Sequence, residues 1–319
     1  MNPTALSNLN LNIIPNAQLS GYTTFRLGGN CKGLILCQTP EELELAVTSL
    51  IQQKEKFILI GGGSNLVVSD HGLDCYVIRY VSETPIIKIE GEDIIVSGST
   101  NLDQLALFSA EHGLNGLIYT SGIPGTVGGA IVGNAGAFGK QVGDVLKNVT
   151  VLTASGIKKT IDAKDIEFSY RDSSLKKSGN IIVSARFGLS KGDCASLFKE
   201  RAELLAVRAE KHPNLQTHPC AGSFFRNIEP TSKAGKRQAA GWFLEQAGGK
   251  NLSFGGAKIF DKHANIIVKG NDCKSQDVFE LSKLMQKVVK EHFQLDLIRE
   301  VRFVGRFANQ PDSAKEVVW

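Results

Sequence analysis

The 319-residue sequence has no CxxC pair, no long hydrophobic run and little net charge. Its six cysteines are spread widely, which argues against disulfides and indicates reduced thiols. No stretch reaches the roughly 18 apolar residues of a membrane span, and no basic region leads into an apolar run at the N-terminus. A net charge of +4 argues against a strongly basic nucleic-acid surface. We therefore expect a cytoplasmic monomer with no membrane insertion, no nucleic-acid partner and no metal site.

The length of the chain suits two or three packed lobes rather than a single core. Short apolar runs typical of strands dominate the first part, and helical periodicity is stronger afterwards. We predict an α+β fold in which residues 21–190 form the first lobe, residues 191–295 a smaller second lobe, and residues 296–305 a final strand. Residues 1–20 are expected to be loosely ordered, and residues 306–319 form a polar tail.

Periodicity and capping signals predict the individual elements. Thr39 caps a helix that has Pro40 at its first position and carboxylates in its first turn. Further helices are predicted at 102–112, 195–211, 236–247 and 276–293. Strands are predicted at 57–60, 66–68, 75–79, 86–89, 94–97, 149–152, 158–161, 181–187 and 294–304.

A glycine turn follows the strand predicted at 57–60. Gly61–Asn65 lies between two strands, whereas a Rossmann fingerprint needs a helix after its glycines, and no GxxxxGK[ST] motif occurs. The backbone amides of such a turn can bind phosphate oxygens, since no side chain blocks their approach. A tight hairpin that needs positive φ would explain the same residues.

A second glycine-dense stretch runs from Gly122 to Gly139. A close-packed helix or a bulge would explain it alone, but two such regions in one lobe favour a long diphosphate cofactor. The predicted cofactor-binding residues are Gly61, Gly62, Gly63, Ser64, Asn65, Gly122, Gly125, Thr126, Gly128, Gly129, Asn134 and Gly136.

Three polar residues further along are candidates for chemistry. Each also has an ordinary explanation: Arg171 can pair with its neighbour Asp172 on the surface, Ser223 can cap a turn, and Glu300 can face water. A glycine-rich phosphate site upstream of a hydroxyl, a guanidinium and a carboxylate suggests a nucleotide-cofactor enzyme that acts on an anionic substrate.

Two other sets of residues carry weaker signals. Arg201 and Arg208 lie seven apart on one predicted helix, and a solvated stripe is the favoured interpretation for both. His212 and His218 lie near Ser223, but a Ser-His-acid triad has no other support.

Taken in order, the motifs resemble those of the UDP-N-acetylenolpyruvoylglucosamine reductases, flavoenzymes of peptidoglycan precursor synthesis. The matching segments cover about residues 20–305. They are Thr23–Gly29, Gly61–Leu66, Gly122–Gly139, Tyr170–Ser173, Ala221–Asn227, Ala240–Leu244, Gly255–Ala257 and Glu300–Gly305.

The resemblance implies a vanillyl-alcohol-oxidase-type FAD-binding region, a smaller α/β substrate-binding lobe and a final strand that returns Glu300 to the FAD lobe. It implies that NADPH reduces the FAD, and that UDP-N-acetylglucosamine enolpyruvate is then reduced. A noncovalent FAD is expected because neither glycine-rich loop contains a His or Cys. By resemblance, Arg171 and a protonated Glu300 stabilise the substrate's carboxylate and Ser223 donates a proton.

The resemblance also assigns substrate contacts. Asn227 lies in the serine motif, and Tyr170, Arg201 or Arg208 are candidates for the uridine end. Tyr22 replaces a common Asn, His218-Pro219-Cys220 stands where a Pro-Ser pair is commoner, and Ile228 stands where Pro is usual. No insertion separates Arg171 from Ser223, which is typical of the shorter family class without a tyrosine lid loop.

Two other functions remain open at this point. A flavin oxidase that uses O₂, or a non-catalytic binder of flavin or nucleotide sugar, would keep the glycine-rich loops. Neither has a reason to carry Arg171, Ser223 and Glu300 together.

Overall fold

The computed structural model describes residues 10–229 and 237–308. Its strands are β1 (Asn12–Pro15), β2 (Cys31–Cys37), β3 (Phe57–Ile60), β4 (Leu66–Val68), β5 (Leu73–Tyr80), β6 (Ile87–Glu90), β7 (Asp93–Ser97), β8 (Leu114–Asn115), β9 (Gly136–Ala137), β10 (Lys140–Gln141), β11 (Leu146–Leu152), β12 (Lys158–Asp162), β13 (Phe168–Ser169), β14 (Asp172–Ser173), β15 (Ile181–Gly188), β16 (Ser190–Lys191), β17 (Cys220–Ser223), β18 (Ser253–Phe254), β19 (Ala257–Phe260), β20 (His263–Lys269) and β21 (Arg302–Val304). Its α-helices are α1 (Pro40–Gln52), α2 (Leu102–Glu111), α3 (Val127–Val132), α4 (Leu175–Ser178), α5 (Cys194–Lys211), α6 (Ala240–Gln246) and α7 (Ser275–Phe293).

The first sheet has the strand order β1-β2-β5-β3, in which β2, β5 and β3 run parallel and β1 is antiparallel. Helix α1 packs on it through buried Leu43, Val47 and Leu50. The predicted start of α1 is confirmed: the Thr39 side chain accepts a hydrogen bond from the Glu42 amide, and the Glu42 carboxylate accepts one from the Thr39 amide. This reciprocal pair satisfies two amides that the first turn leaves free.

The second sheet is antiparallel, with the order β12-β11-β15-β7-β6. Helices α2 and α3 cover its inner face, where Val96, Val149 and Ala185 are buried. Gly113 follows α2 with a φ of +61°, the left-handed conformation expected at this helix end. Together the two sheets form the first lobe.

The N-terminal segment differs from the prediction of loose order through residue 20. Strand β1 pairs with β2, and Ala17 and Leu19 are buried. The segment is ordered by pairing with an edge of the first sheet, and sequence periodicity does not show that edge. The part of the prediction that concerns residues 1–9 lies outside the described residues.

The second lobe contains an antiparallel sheet of order β17-β20-β19-β18. Helices α6 and α7 pack against it, and the predicted α7 is confirmed within one residue at its start. None of the four strands of this sheet was predicted from the sequence. The helix predicted at 236–247 begins at Ala240 instead. Helix α5 is confirmed but packs on α2, in the first lobe.

The final strand returns to the first lobe. Strand β21 pairs in parallel with β4, and Val304 lies opposite Val68. The strand predicted at 294–304 is shorter than expected and begins only at Arg302. The residues before Arg302 run beside the segment that follows β17 instead, where the Glu300 amide donates to the Phe224 carbonyl oxygen at 2.8 Å. Residues 309–319 of the predicted tail lie outside the described residues.

Among the described residues, no helix has the length and apolar composition needed to cross a membrane. The six cysteines form no disulfide, and Cys194 alone is exposed.

Candidate active site

The structure brings the two glycine-rich regions into contact. A Cβ atom added to Gly62 would lie 3.3 Å from the Gly125 Cα, and one added to Gly61 would lie 2.4 Å from Thr126 Oγ1. The Ser64 hydroxyl donates to the Pro124 carbonyl oxygen at 3.0 Å. The glycine turn begins where β3 ends, so the two regions form one bare-backbone surface at the carboxyl end of a parallel strand.

The glycines of this surface differ in what their backbone does. Gly63, Gly122 and Gly125 have φ values of +63°, +75° and +129°, which side-chain-bearing residues rarely adopt. The Gly122 amide donates to Asp103 Oδ1 at 2.7 Å and the Gly128 amide to the Gly98 carbonyl oxygen at 3.0 Å. These two amides are therefore used within the protein, and both glycines shape the surface rather than donate to a phosphate.

Part of the second glycine-rich stretch is the short helix α3, the alternative considered for it. Thr126 caps α3 by accepting from the Gly129 amide at 3.4 Å. The Asn134 side chain is buried and donates to the Ser169 carbonyl oxygen at 2.8 Å, two residues before Arg171. Asn134 therefore positions the arginine segment and does not offer its amide group to a cofactor.

Arg171 faces Glu300 rather than its sequence neighbour. Arg171 Nε lies 3.2 Å from Glu300 Oε1, and the guanidinium lies against Gly136, where a Cβ would come within 3.1 Å of Nη1. Arg171 has a φ of +56°, a strained conformation for a residue with a side chain. The packing around it thus fixes the guanidinium on the carboxylate.

The ordinary explanation, in which Glu300 faces water, does not hold. Its side chain is 22% exposed, and burial raises the pKa of its carboxyl group, although Arg171, Arg226 and Lys176 oppose that rise. Burial disfavours the charged form of an acid, so the direction suits a carboxyl group that keeps its proton.

A cluster of charges surrounds this pair. Lys176 Nζ lies 3.3 Å from Asp172 Oδ1, and Arg226 Nη2 lies 3.9 Å from Asp172 Oδ2. Burial lowers the pKa of Lys176. With Arg171 and Glu300, these residues give three cations and two carboxylates, and the excess cation favours an anionic ligand. Lys176 and Arg226 were not predicted as site residues, although Arg226 lies inside the serine motif.

Ser223 is the last residue of β17 and lies next to the Glu300 segment. Phe224, the following residue, accepts from the Glu300 amide at 2.8 Å. Buried Asn265 fixes the turn: its Oδ1 accepts from the Phe225 amide at 2.9 Å and its Nδ2 donates to the Phe225 carbonyl oxygen at 2.8 Å. Asn265 is a positioning residue that the sequence did not reveal.

The two predicted substrate contacts touch each other. The Asn227 amide donates to the Tyr170 hydroxyl at 3.3 Å, and the Arg237 guanidinium lies 4.1 Å from the centre of the Tyr170 ring. Asn227 Oδ1 accepts from the Ala240 amide at 3.3 Å, at the start of α6. The serine motif, the arginine motif and α6 therefore meet at one place.

The solvated-stripe interpretation of Arg201 and Arg208 is wrong. Arg201 is 9% exposed and donates to both oxygens of Asp103, at 2.6 and 2.9 Å. Arg208 donates to the Tyr119 carbonyl oxygen at 3.3 Å, and its side chain lies against Gly122. Burial lowers the pKa of Arg208, with Arg171 as the next cause. Both arginines point inward because α5 packs on α2.

Comparison with known proteins gives two family matches along the chain. The family model described as the FAD binding domain matches residues 31–161. The model described as the UDP-N-acetylenolpyruvoylglucosamine reductase C-terminal domain matches residues 212–304.

Individual relatives match almost the whole chain. The UDP-N-acetylenolpyruvoylglucosamine reductase of Lactobacillus acidophilus is 34% identical over 90% of this chain and 93% of its own length. That of Caldanaerobacter subterraneus is 36% identical over 91% of this chain and 93% of its own length. The chain belongs to the UDP-N-acetylenolpyruvoylglucosamine reductase family. The crystal structure of the Thermus caldophilus enzyme superposes with a TM-score of 0.75 and 30% identity, covering 92% of this chain and 98% of that one.

Membership of the family confirms the predicted α+β fold class and makes the chain a flavoprotein oxidoreductase of peptidoglycan synthesis with FAD as its cofactor. The residues fit that cofactor. Gly62 packs against the Gly125 backbone and also lines a cavity, so backbone without a side chain faces open space there, as a diphosphate requires.

Proposed function

We propose that the chain reduces UDP-N-acetylglucosamine enolpyruvate to UDP-N-acetylmuramate, with NADPH as the reductant and noncovalent FAD as the cofactor. The observation that carries the proposal is the contact of Arg171 with Glu300, a part-buried carboxyl group of raised pKa. The Glu300 amide donates to the carbonyl oxygen of Phe224, the residue that follows Ser223. The family to which the chain belongs supports the same substrate.

FAD held at the glycine-rich turn would supply hydride chemistry: it would take a hydride from NADPH, and the terminal vinyl carbon of the enolpyruvyl group would receive it. Addition there shifts the double-bond electrons toward the α carbon and its carboxylate. Arg171 and the protonated Glu300 donate hydrogen bonds to that carboxylate, and the interaction strengthens as the negative charge grows. A contact that strengthens only at the transition state accelerates the reaction.

Ser223 completes the reduction by donating a proton to the α carbon. The hydride and the proton then saturate the C=C bond, which becomes a C–C single bond with one new C–H bond on each carbon; NADPH was converted to NADP⁺ in the earlier half-reaction. A serine hydroxyl is a weak acid, so its geometry must be fixed. The bonds of Asn265 to Phe225 rigidify the turn that carries Ser223.

The remaining residues bind and orient the substrate. Asn227 and Tyr170 lie at the meeting point of the serine and arginine motifs and are proposed as substrate contacts. Arg208 presents a buried Nε that has no hydrogen-bond partner among the described residues, and it is a candidate for the anionic or uridine part.

An anaerobic absorbance experiment tests the function. The purified protein is expected to be yellow, to bleach on addition of NADPH and to recover its colour only when the enolpyruvate is added. Ser223→Ala is expected to bleach at nearly the wild-type rate but to recover its colour orders of magnitude more slowly, because only the second half-reaction needs the proton. Ser190→Ala, in the exposed strand β16, is the control.

Three results would contradict the proposal. A protein unable to take up FAD would remove its basis, and rapid recovery of colour in air would favour an oxidase. Equal slowing of both half-reactions in Ser223→Ala would remove the proton-donor role.

A further inference from the structure

A cavity of about 220 Å³ lies beside the glycine turn, between the first lobe and the linker that follows α5. Its lining includes Tyr22, Thr23, Thr24, Gly62, Arg79 and Gln216. The Thr24 amide donates to the Gly63 carbonyl oxygen at 3.1 Å, which ties one wall of the cavity to the turn. A ligand on the turn would therefore adjoin the cavity.

The strand register places Arg79 opposite the end of β3. Arg79 lies on β5, and its Cα partner on β3 is Ile60, the last residue before Gly61. Both strands run parallel, so their carboxyl ends lie at one edge of the sheet. The Arg79 side chain and the glycine turn thus belong to the same edge and line the same cavity.

Arg79 carries a charge that the described residues do not neutralise. Burial lowers the pKa of its guanidinium, and Tyr22 is the single ionisable neighbour that opposes the shift. The Tyr22 ring centre lies 5.8 Å from the guanidinium carbon. Arg79 Nε is buried without a hydrogen-bond partner among the described residues. A buried cation without an anion is costly to the folded protein, so such a residue is expected to meet an anionic ligand.

We propose that Arg79 binds the diphosphate of FAD. A guanidinium is a planar donor that matches phosphate oxygens with two parallel hydrogen bonds. Gly62 lines the same cavity and is part of the bare-backbone surface formed with Gly125, which places the diphosphate between turn and guanidinium. The phosphates of NADPH have the same chemistry and are the other possible source. The inference rests on FAD as the cofactor and not on the identity of the reduced substrate.

The test measures binding rather than turnover. Flavin-free protein is titrated with FAD and, separately, with riboflavin, and the dissociation constant is read from flavin fluorescence. Arg79→Gln is expected to raise the Kd for FAD by about 10–100-fold, the effect of losing a charge-assisted hydrogen bond, and to leave the Kd for riboflavin unchanged. Arg79→Lys keeps the charge without the planar donor, and its Kd for FAD is expected to lie between those of the wild type and Arg79→Gln.

Arg26→Gln is the matched control. Arg26 lines the same cavity, but its guanidinium donates to the Gln216 backbone and side-chain oxygens at 3.3 and 3.4 Å. An equal loss of FAD affinity in both variants would mean that general positive charge, not Arg79, is responsible, and would overturn the assignment.

The melting temperature of the flavin-free variants serves as the control for correct folding. Arg79→Gln is not expected to lower it, because the substitution removes a buried charge. Equal weakening of riboflavin and FAD would indicate damage to the fold and would overturn the proposal. Unchanged FAD affinity together with weaker NADPH binding would assign Arg79 to the reductant instead. FAD affinity lost at Arg79 with normal half-reactions at saturating FAD would leave the proposed function intact.

Discussion

The carboxyl group of Glu300 experiences two opposing effects. Burial raises its pKa, and the cations Arg171, Arg226 and Lys176 lower it, with burial the larger effect. An acid whose pKa is higher in the folded protein binds its proton more tightly there than in the unfolded chain. The stability that this proton provides is present below the ordinary pKa of 4.5 and is lost as pH rises through the folded pKa.

Glu300→Gln is expected to remove this loss, since an amide has the shape of the protonated acid and does not ionise. As pH rises from 5 to 8, the free energy of unfolding of Glu300→Gln should increase relative to that of the wild type, even though the catalytic rate of the variant falls. Urea titrations of the flavin-free proteins at the two pH values measure the difference.

The control is Glu291→Gln, on the exposed face of α7, where the side chain is 64% exposed. It is expected to leave stability nearly unchanged at both pH values. A wild-type protein that gains stability over Glu300→Gln as pH rises would show that the cations, not burial, dominate.

At the scale of residues, the sequence identified those that lie in ordered motifs. Arg171, Ser223 and Glu300 were singled out, and the structure places the Arg171 and Glu300 side chains in contact. Lys176, Asn265 and Arg79 were missed because their significance depends on which distant chain segment they face. A buried guanidinium without a partner cannot be recognised before the strand register is known.

Asp103 links two helices and the second glycine-rich stretch. From the first turn of α2 it accepts two hydrogen bonds from Arg201 on α5, at 2.6 and 2.9 Å, and one from the Gly122 amide, at 2.7 Å. Burial by itself would raise the pKa of Asp103, but Arg201, the Gly122 amide and Arg208 together lower it. Asp103 therefore holds the Gly122 turn, which we propose as part of the FAD site, on the two helices.

Asp103→Asn is expected to lower the free energy of unfolding by about 2–3 kcal/mol, since it leaves the Arg201 guanidinium with a neutral partner. It is also expected to weaken FAD binding, because Gly122 loses a charged acceptor. Urea titration and FAD fluorescence measure the two effects. Asp162→Asn, at an exposed pair 3.7 Å from Lys164, is the control and is expected to cost less than about 0.5 kcal/mol. Loss of stability in Asp103→Asn with unchanged FAD affinity would mean that the hydrogen bond between Asp103 and the Gly122 amide does not contribute to FAD binding.

At the scale of elements, local signals predicted what local interactions determine. The capping box of α1 and the apolar stripe of α7 were readable because each is encoded within a few turns. Strands β1 and β17 were not, because their partners β2 and β20 are distant in sequence. Strands β18, β19 and β20 were missed even though they pair with one another in chain order. The inward faces of Arg201 and Arg208 depend on the packing of α5 against α2.

The two lobes of the molecule share a hydrophobic core. Phe25 and Val67, from the first lobe, are buried in the same cluster as Phe224, Phe243 and Met285 of the second lobe. Hydrogen bonds also cross the boundary: the Thr24 hydroxyl donates to the Cys220 carbonyl oxygen at 2.7 Å, and the Ser275 hydroxyl to Asp70 Oδ2 at 2.8 Å. The pairing of β21 with β4 adds a backbone connection. The resemblance in sequence implied this return, whereas periodicity alone could not have shown it.

Because of this shared core, we expect the flavin-free protein to unfold in one cooperative transition. Phe25→Ala removes a side chain that is 0% exposed and is expected to cost about 3–5 kcal/mol through lost burial and the cavity left behind. Calorimetry should show the whole transition moving to lower temperature without splitting. Phe254→Ala, at a side chain 42% exposed, is the control and should leave the transition nearly in place. Two separate transitions in the wild type, or a first-lobe transition unmoved by Phe25→Ala, would mean that the lobes are stable independently and that their contact does not contribute to folding.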